Sequence, residues 1–522
     1  MTTENTNIPQ MVVNITGSWG LWQIRFFIAY LLFSIVCCWH ALQLSFLAPE
    51  IDYWCVNDNN QSNGTITAAT NKCSSDGMSC IEWEYDVGRN ESIYRSTIIS
   101  EWNLVCNRQW LSSFTHSAYM IGGFLSCIIM SHCSDQYGRK PAIIFGWCFS
   151  LIGTILAGLS NSIVQFLISR MLIAFGITSC YQTGFVLILE MVGPKYRDII
   201  GLTVTFGWSV GYISLPMIYW LIPDFRLVHA FYAIVQICTI PLYLTLYESP
   251  RWLLVNNRYD EAISILREVI NINGINNNNN NDNELETEIK IMKIKKFVEQ
   301  QKNQNEDSNV NEQKYSYLDL FRSFTLARIT LTIYFVWYAN SLVYYGLSLN
   351  TNALAGNPFI NFFLMGVIEI PAYVASIYLV KYYGNRSILI ATCIGAGIGC
   401  WASISINMNQ YLGLSMVMFG KFCVTCSYSI VYVYTTELFP TVVRTIGLGS
   451  SSMIARIASI MAPYVKDLTQ LTSLTFSMTL IGFVAFIAGL LVFTLRESSG
   501  VEMPDKPEDV ELQLEQIEIE LE

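Results

Sequence analysis

The feature that most constrains this chain is a succession of apolar blocks. Each is about 20 residues long, enough to cross a bilayer core as a helix. Several are apolar on every face, as lipid-embedded helices are, rather than striped like helices on a soluble core. Spans are expected near 23–47, 111–131, 141–160, 163–192, 200–222, 229–247, 326–349, 359–381, 387–406, 410–436, 447–468 and 473–495. Composition agrees, with 52% hydrophobic and only 13% charged residues, where a soluble domain carries roughly a quarter charged. The expected fold class is an all-α membrane protein with twelve transmembrane helices. An even count places both termini on one side.

The formal charge of −10 is local: residues 497–522 hold ten acids and one lysine. This reads as a solvated acidic tail and gives no support for a nucleic-acid partner. Residues 1–24 lack the basic start of a secretory signal; the first span is expected to be retained. Among short loops, Arg139, Lys140, Lys195, Arg197, Lys381, Arg386 and Arg444 share one side, against Arg226 and Lys466 on the other. The basic side is expected to be cytoplasmic, in a multi-pass protein of the plasma membrane with both termini inside.

The expected parts are a cytoplasmic N-terminus over 1–22, a first six-helix half over 23–247 and a second over 326–495. A cytoplasmic loop over 248–325 contains the amphipathic stretch Arg258–Ile270 and an Asn-rich insert, and the tail covers 496–522. The loop 48–110 falls outside. It holds Cys55, Cys73, Cys80 and Cys106 beside sequons at Asn60, Asn63 and Asn90. Four cysteines among glycosylation acceptors predict an oxidising compartment, two disulfides and a glycoprotein.

The two halves repeat. Asp135-Gln136-Tyr137-Gly138-Arg139-Lys140 follows the second span, and Lys381-Tyr382-Tyr383-Gly384-Asn385-Arg386 follows the eighth. Glu190 and Arg197 close the fourth span as Glu437 and Arg444 close the tenth. Leu246-Tyr247-Glu248-Ser249 and Leu495-Arg496-Glu497-Ser498 end the sixth and twelfth. The offsets are 246, 247 and 249 residues. This parallel repeat is the layout of major facilitator transporters, whose substrate site sits between the halves near the midplane. The charges Asp135, Arg139, Glu190, Arg197, Glu437 and Arg444 are expected to pair across the halves and hold an inner gate shut.

With these residues in view, the chain resembles the organic cation, anion and carnitine transporter family of the major facilitator superfamily. The likeness rests on Glu101-Trp102-Asn103-Leu104-Val105-Cys106, on Glu248-Ser249-Pro250-Arg251-Trp252-Leu253-Leu254 and on Glu437-Leu438-Phe439-Pro440-Thr441-Val442-Val443-Arg444. In the second half it is nearest the carnitine/zwitterion branch, through Tyr345-Gly346-Leu347-Ser348-Leu349-Asn350-Thr351, Glu369-Ile370-Pro371-Ala372-Tyr373-Val374, Gly420-Lys421-Phe422 and Tyr432-Val433-Tyr434-Thr435. The resemblance implies alternating-access transport of small organic ions, and it places Tyr181, Trp337 and Tyr344 on the cavity wall. Aromatic faces attract organic cations; helix packing is the competing reading, and it is preferred for Trp208, Tyr212, Tyr428 and Tyr432.

Charges inside spans are the sharper candidates. Glu369, Lys421 and Arg456 lie at membrane depth, where a charge costs about 2.5–3.5 kcal/mol on insertion scales and normally faces a cavity or a partner. A substrate role and a structural ion pair remain open for Lys421. The resemblance implies that Arg456 sets substrate charge, since the matching position is acidic in the cation branch and Arg in the anion and carnitine branches. The expected solute is a zwitterion or a carboxylate-bearing ion, carnitine-like or an amine conjugate. An organic cation carrier and a transporter-like receptor or sensor are the alternatives. No nucleophile–base set, metal spacing or nucleotide loop is found, so neither an enzyme nor a cofactor is expected. The partners expected are a small organic ion and the lipid bilayer.

Overall fold

The computed structural model describes residues 16–17, 19–56, 82–87, 94–193, 196, 200–201, 203–256, 258–273, 317–351, 354, 356–405, 410–440 and 443–498. Each of the twelve expected spans is helical. The first half comprises α1 (Leu21–Leu42) continued by α2 (Leu44–Leu47), then the hairpin strands β1 (Tyr53–Val56) and β2 (Glu82–Tyr85) and the short α3 (Ile98–Trp102). There follow α4 (Trp110–Tyr137), α5 (Arg139–Gly158), α6 (Ile163–Met191), α7 (Thr205–Leu221) and the pair α8 (Phe225–Cys238) and α9 (Ile240–Leu244). Two surface helices, α10 (Pro250–Val255) and α11 (Tyr259–Ile272), come next. The second half comprises α12 (Phe324–Leu349), the pair α13 (Pro358–Val367) and α14 (Glu369–Tyr383), α15 (Asn385–Ser405), α16 (Gln410–Leu438), α17 (Arg444–Met461), α18 (Tyr464–Leu471) and α19 (Leu474–Val492).

Nine helical stretches among the described residues are long and apolar enough to cross a membrane. The remaining three spans depart for local reasons. Helix α7 has 17 residues. In α12 and α17 the apolar run is thinned by polar residues buried at helix contacts, such as Thr330, Asn340, Ser341, Ser451 and Ser459. Large apolar side chains such as Phe145, Ile152, Ile168, Ile234, Ile398 and Phe483 point outward, a surface that lipid accepts and water does not.

Prolines set the two interrupted spans. A proline lacks a donor and is tolerated in the first turn of a helix. Pro241 opens α9, and Pro371 lies in the first turn of α14, leaving Glu369 at that helix's first position. The amphipathic stretch is α11. Its buried Ala262, Leu266 and Ile270 pack on Trp252, Leu253 and Leu254 of α10, with Ile263 at the margin. Asn273, just past α11, accepts the Trp22 amide at 2.9 Å and donates to the Thr16 carbonyl at 2.9 Å. The start of α1 is thereby tied to the surface helices.

In the loop, β1 and β2 pair antiparallel with Tyr53 opposite Tyr85. Cys106 takes part in a disulfide. Cys73 and Cys80, the Cys55 side chain, and the sequons at Asn60, Asn63 and Asn90 lie outside the described residues, as do the Asn-rich insert and the acidic tail.

The halves meet asymmetrically. At the end that carries the 48–110 loop, Ser113 donates to Asp467 at 2.6 Å and Ser117 to the Ile460 carbonyl at 2.7 Å. Lys466 donates to the Ala48 carbonyl at 2.6 Å, and Phe46 packs on Phe359 and Phe362. Toward mid-depth, Trp208, Ser209 and Tyr212 of α7 meet α12, α13 and α14. Among the described residues, no hydrogen bond joins the halves at the opposite end, where the repeated motifs lie. Among the described residues, the hydrogen bonds between the halves thus lie at the loop end and at mid-depth.

Candidate functional site

Two clusters of membrane-depth charge occupy the seam between the halves. The first joins Glu369 and Lys421, both fully buried, at 3.1 Å. Tyr344 donates to Glu369 Oε1 at 2.5 Å, and Ser209 donates to Oε2 at 3.4 Å. The Trp208 indole donates to the Tyr344 hydroxyl at 2.8 Å. Lys421 donates to Ser348 at 2.9 Å and lies 3.3 Å from the centre of the Tyr344 ring. Four helices, α7, α12, α14 and α16, contribute, and α7 belongs to the other half. Each charge has its opposite within reach, which is how buried ions are tolerated.

The second cluster surrounds Arg456 on α17. Its electrostatic neighbours are Cys127 of α4, Tyr345 of α12, and Tyr428 and Tyr432 of α16. Tyr181 of α6 and Cys37 of α1 also feel it. Among the described residues no carboxylate forms an ion pair with Arg456. Tyr432 is 44% exposed and interacts with Tyr181 of the other half. A half-buried guanidinium ringed by aromatic and thiol groups from both halves can receive a carboxylate in a planar, two-point grip.

Glu369 therefore pairs with Lys421 and not with Arg456. Trp337 is fully buried, its indole bonded to Thr435 at 2.9 Å and its ring edge-on to Tyr432. It stands behind Tyr428 and Tyr432, which border the Arg456 cluster more closely.

Of the expected gating charges, Asp135, Arg139, Glu190 and Glu437 have partners within their own half. Arg139 bonds Asp135 at 2.9 Å and Glu190 at 3.2 Å, both in its own half. In the second half Asn385 takes the place of Arg139 and donates to Glu437 at 2.6 Å. Among the described residues no ion pair at this end crosses between the halves. Arg197 lies outside them, and Arg444 opens α17. Asp135, Arg139 and Glu190 thus fasten helix ends within the first half, and Glu437 does so with Asn385 in the second.

The third repeated motif supplies the anchor. Glu248 accepts the Arg139 and Lys140 amides at 2.9 and 3.0 Å, capping α5 from a distance where the helix dipole favours an anion. Glu497 does the same at the Arg386 amide, 3.1 Å. The preceding residues are Gly138 at φ 113° and Gly384 at φ 81°. A Cβ on Gly138 would lie 2.5 Å from the Glu248 carboxylate. Gly138→Ala is expected to cost about 1–3 kcal/mol and lower the unfolding temperature of purified protein; an unchanged temperature would show that Glu248 yields freely.

Residues 78–503 match the family described as sugar (and other) transporter. The chain belongs to that family. It is 32% identical to the organic cation transporter protein of Drosophila melanogaster, over 96% of this chain and 94% of the relative. It is also 32% identical to human organic cation/carnitine transporter 2, over 82% of this chain and 73% of that protein. The inward-open conformation of the xylose transporter XylE from E. coli superposes with a TM-score of 0.61 at 15% identity, covering 94% of this chain and 98% of that one. The fold is thus the major facilitator fold, twelve helices in two halves, and the relatives are carriers rather than enzymes.

Within this transporter fold, sequence reasoning gave Trp208 and Tyr212 to packing and passed over Ser209 and Ser348. The missed signal was on α7: Trp208 and Tyr212 are four apart and share a helical face with reach to the partner half. Glu248 and Glu497 were visible as a repeat, but their capping role needed coordinates.

Proposed function

We propose that this chain is a secondary transporter of small organic ions, working by alternating access. The solute is a zwitterion or anion whose carboxylate is received by Arg456 in the cleft between the halves. The observation that carries this is the contrast between the two charge clusters. The cation in one is matched by Glu369, while Arg456 has no matching carboxylate among the described residues and faces aromatic rings from both halves. Tyr181, Tyr428 and Tyr432 are suited to the apolar or ammonium part of the solute.

The topology proposed with it places the 48–110 loop outside the cell and both termini inside, following the basic short loops. The loop then carries two disulfides and glycans on Asn60, Asn63 and Asn90. In that frame the contacts at the loop end are an outer gate. Ser113→Ala together with Asp467→Asn removes one inter-half bond and leaves lipid-facing surfaces untouched. Cysteines placed beside the outer seam should then react several-fold faster with a polar thiol reagent. Unaltered rates in a folded variant would remove Asp467 from the gate.

Uptake of labelled carboxylates, zwitterions and cations into proteoliposomes tests the function. Saturable uptake of carboxylate-bearing solutes is the expected result. Uptake confined to cations would reassign the site, and binding without uptake in any class would mark a receptor.

A further inference from the structure

Arg170 lies on α6 within the first half and is fully buried. Its Nη2 donates to the His40 carbonyl at 3.0 Å. Its guanidinium carbon is 4.5 Å from the centre of the Tyr119 ring. Its Nε and Nη1 have no hydrogen-bond partner. Tyr119, Tyr219, Tyr232, His40, His116 and His229 interact with it electrostatically, and among the described residues it forms no ion pair.

Other polar groups are buried nearby. Both ring nitrogens of His116, on α4, are buried without partners, and the buried Tyr232 hydroxyl, on α8, lies beside that of Tyr219. Each interacts electrostatically with Arg170. His116 and Tyr232 can both donate hydrogen bonds. The neighbourhood therefore offers one fixed positive charge and several donors.

A guanidinium cannot shed its charge as a lysine can. Burying it without a partner costs more than one aromatic face restores. The counter-charge must then come from outside the chain. Complete burial excludes an organic solute, so the counter-charge is a compact ion. We propose that Arg170, with His116 and Tyr232, holds a small inorganic anion of the halide class inside the first half. Tyr119 interacts electrostatically with both Arg170 and Arg456. The site is independent of which solute the cleft accepts.

The test uses full-length purified protein in detergent, with sodium chloride replaced by sodium gluconate at constant ionic strength. Chloride should raise the unfolding temperature by roughly 2–4 °C as it saturates. The rise should persist in Arg456→Ala and vanish in Arg170→Gln. No rise in the wild type, or a rise that survives Arg170→Gln or is lost in Arg456→Ala, overturns the proposal. If Arg170→Gln does not fold, anomalous scattering from bromide in wild-type crystals decides. A peak within hydrogen-bond distance of Arg170 Nε or Nη1 supports the site; no peak, or one at Arg456 alone, rejects it.

Discussion

Arg456→Ala is expected to abolish uptake of carboxylate-bearing solutes while the protein still folds and reaches the surface. Removing one partner of a close charge pair typically costs about 2–5 kcal/mol, which is roughly 30-fold to several-thousand-fold in affinity. The loss should be selective. Arg456 makes no ion pair among the described residues, so truncating it leaves no buried carboxylate stranded. A solute lacking the carboxylate should be affected far less. Arg456→Asp should go further and favour cations, because an acid would then stand among Tyr345, Tyr428 and Tyr432, whose faces already suit a positive group. Equal losses for carboxylates and cations in the Ala variant, at normal surface abundance, would mean that Arg456 shapes the cleft without reading charge.

The Glu369–Lys421 pair should behave in the opposite way. Glu369→Gln leaves the Lys421 ammonium buried without its counter-ion, and Lys421→Met does the reverse to the carboxylate. Each single change is expected to cost about 3–5 kcal/mol, visible as loss of surface abundance or a depressed unfolding temperature. The pair Glu369→Gln with Lys421→Met removes both charges and should recover much of that stability. Recovery in the double variant is the diagnostic, since contacting residues couple where distant ones add. Two singles whose losses simply add would show that the groups do not depend on each other. Transport by the recovered variant then separates a structural pair from a substrate contact. Ser209 and Trp208 reach this network from the other half, so a folded but slow double variant is expected if the pair also steadies the closed loop end.

These two expectations show where sequence reasoning reached and where it stopped. It located Arg456, Glu369 and Lys421, because a charge inside an apolar span is conspicuous whatever it touches. It could not say which was paired with which. Pairing depends on how α12, α14, α16 and α17 are rotated about their axes, and spacing along one helix carries no information about another helix's rotation. The same limit applied at the motif end. Arg139, Glu190 and Glu437 were recognised by repetition, yet partners across the halves and partners within a half look identical in sequence. Tertiary structure showed Arg139 with Asp135 and Glu190, and Glu437 with Asn385, each within one half. Trp208 was misjudged for a related reason: an aromatic residue on a packed face and one that hydrogen-bonds across a seam have the same one-dimensional signature.

The sequence by itself determined the membrane class, the number of spans and the two-fold internal repeat. Each follows from local composition or from motifs compared with themselves: the length of an apolar block against bilayer thickness, and offsets of 246, 247 and 249 residues. Tertiary structure alone decided that Lys421 neutralises Glu369, that Arg456 stands without a carboxylate partner among the described residues, and that Glu248 and Glu497 cap helices in their own halves. Those outcomes depend on approaches within hydrogen-bond distance between residues far apart in the chain, as in the Ser209–Glu369 bond, 160 positions apart. Coulomb and hydrogen-bond energies fall away over a few ångströms, so small helix rotations, unrecorded in any local pattern, select which partners meet.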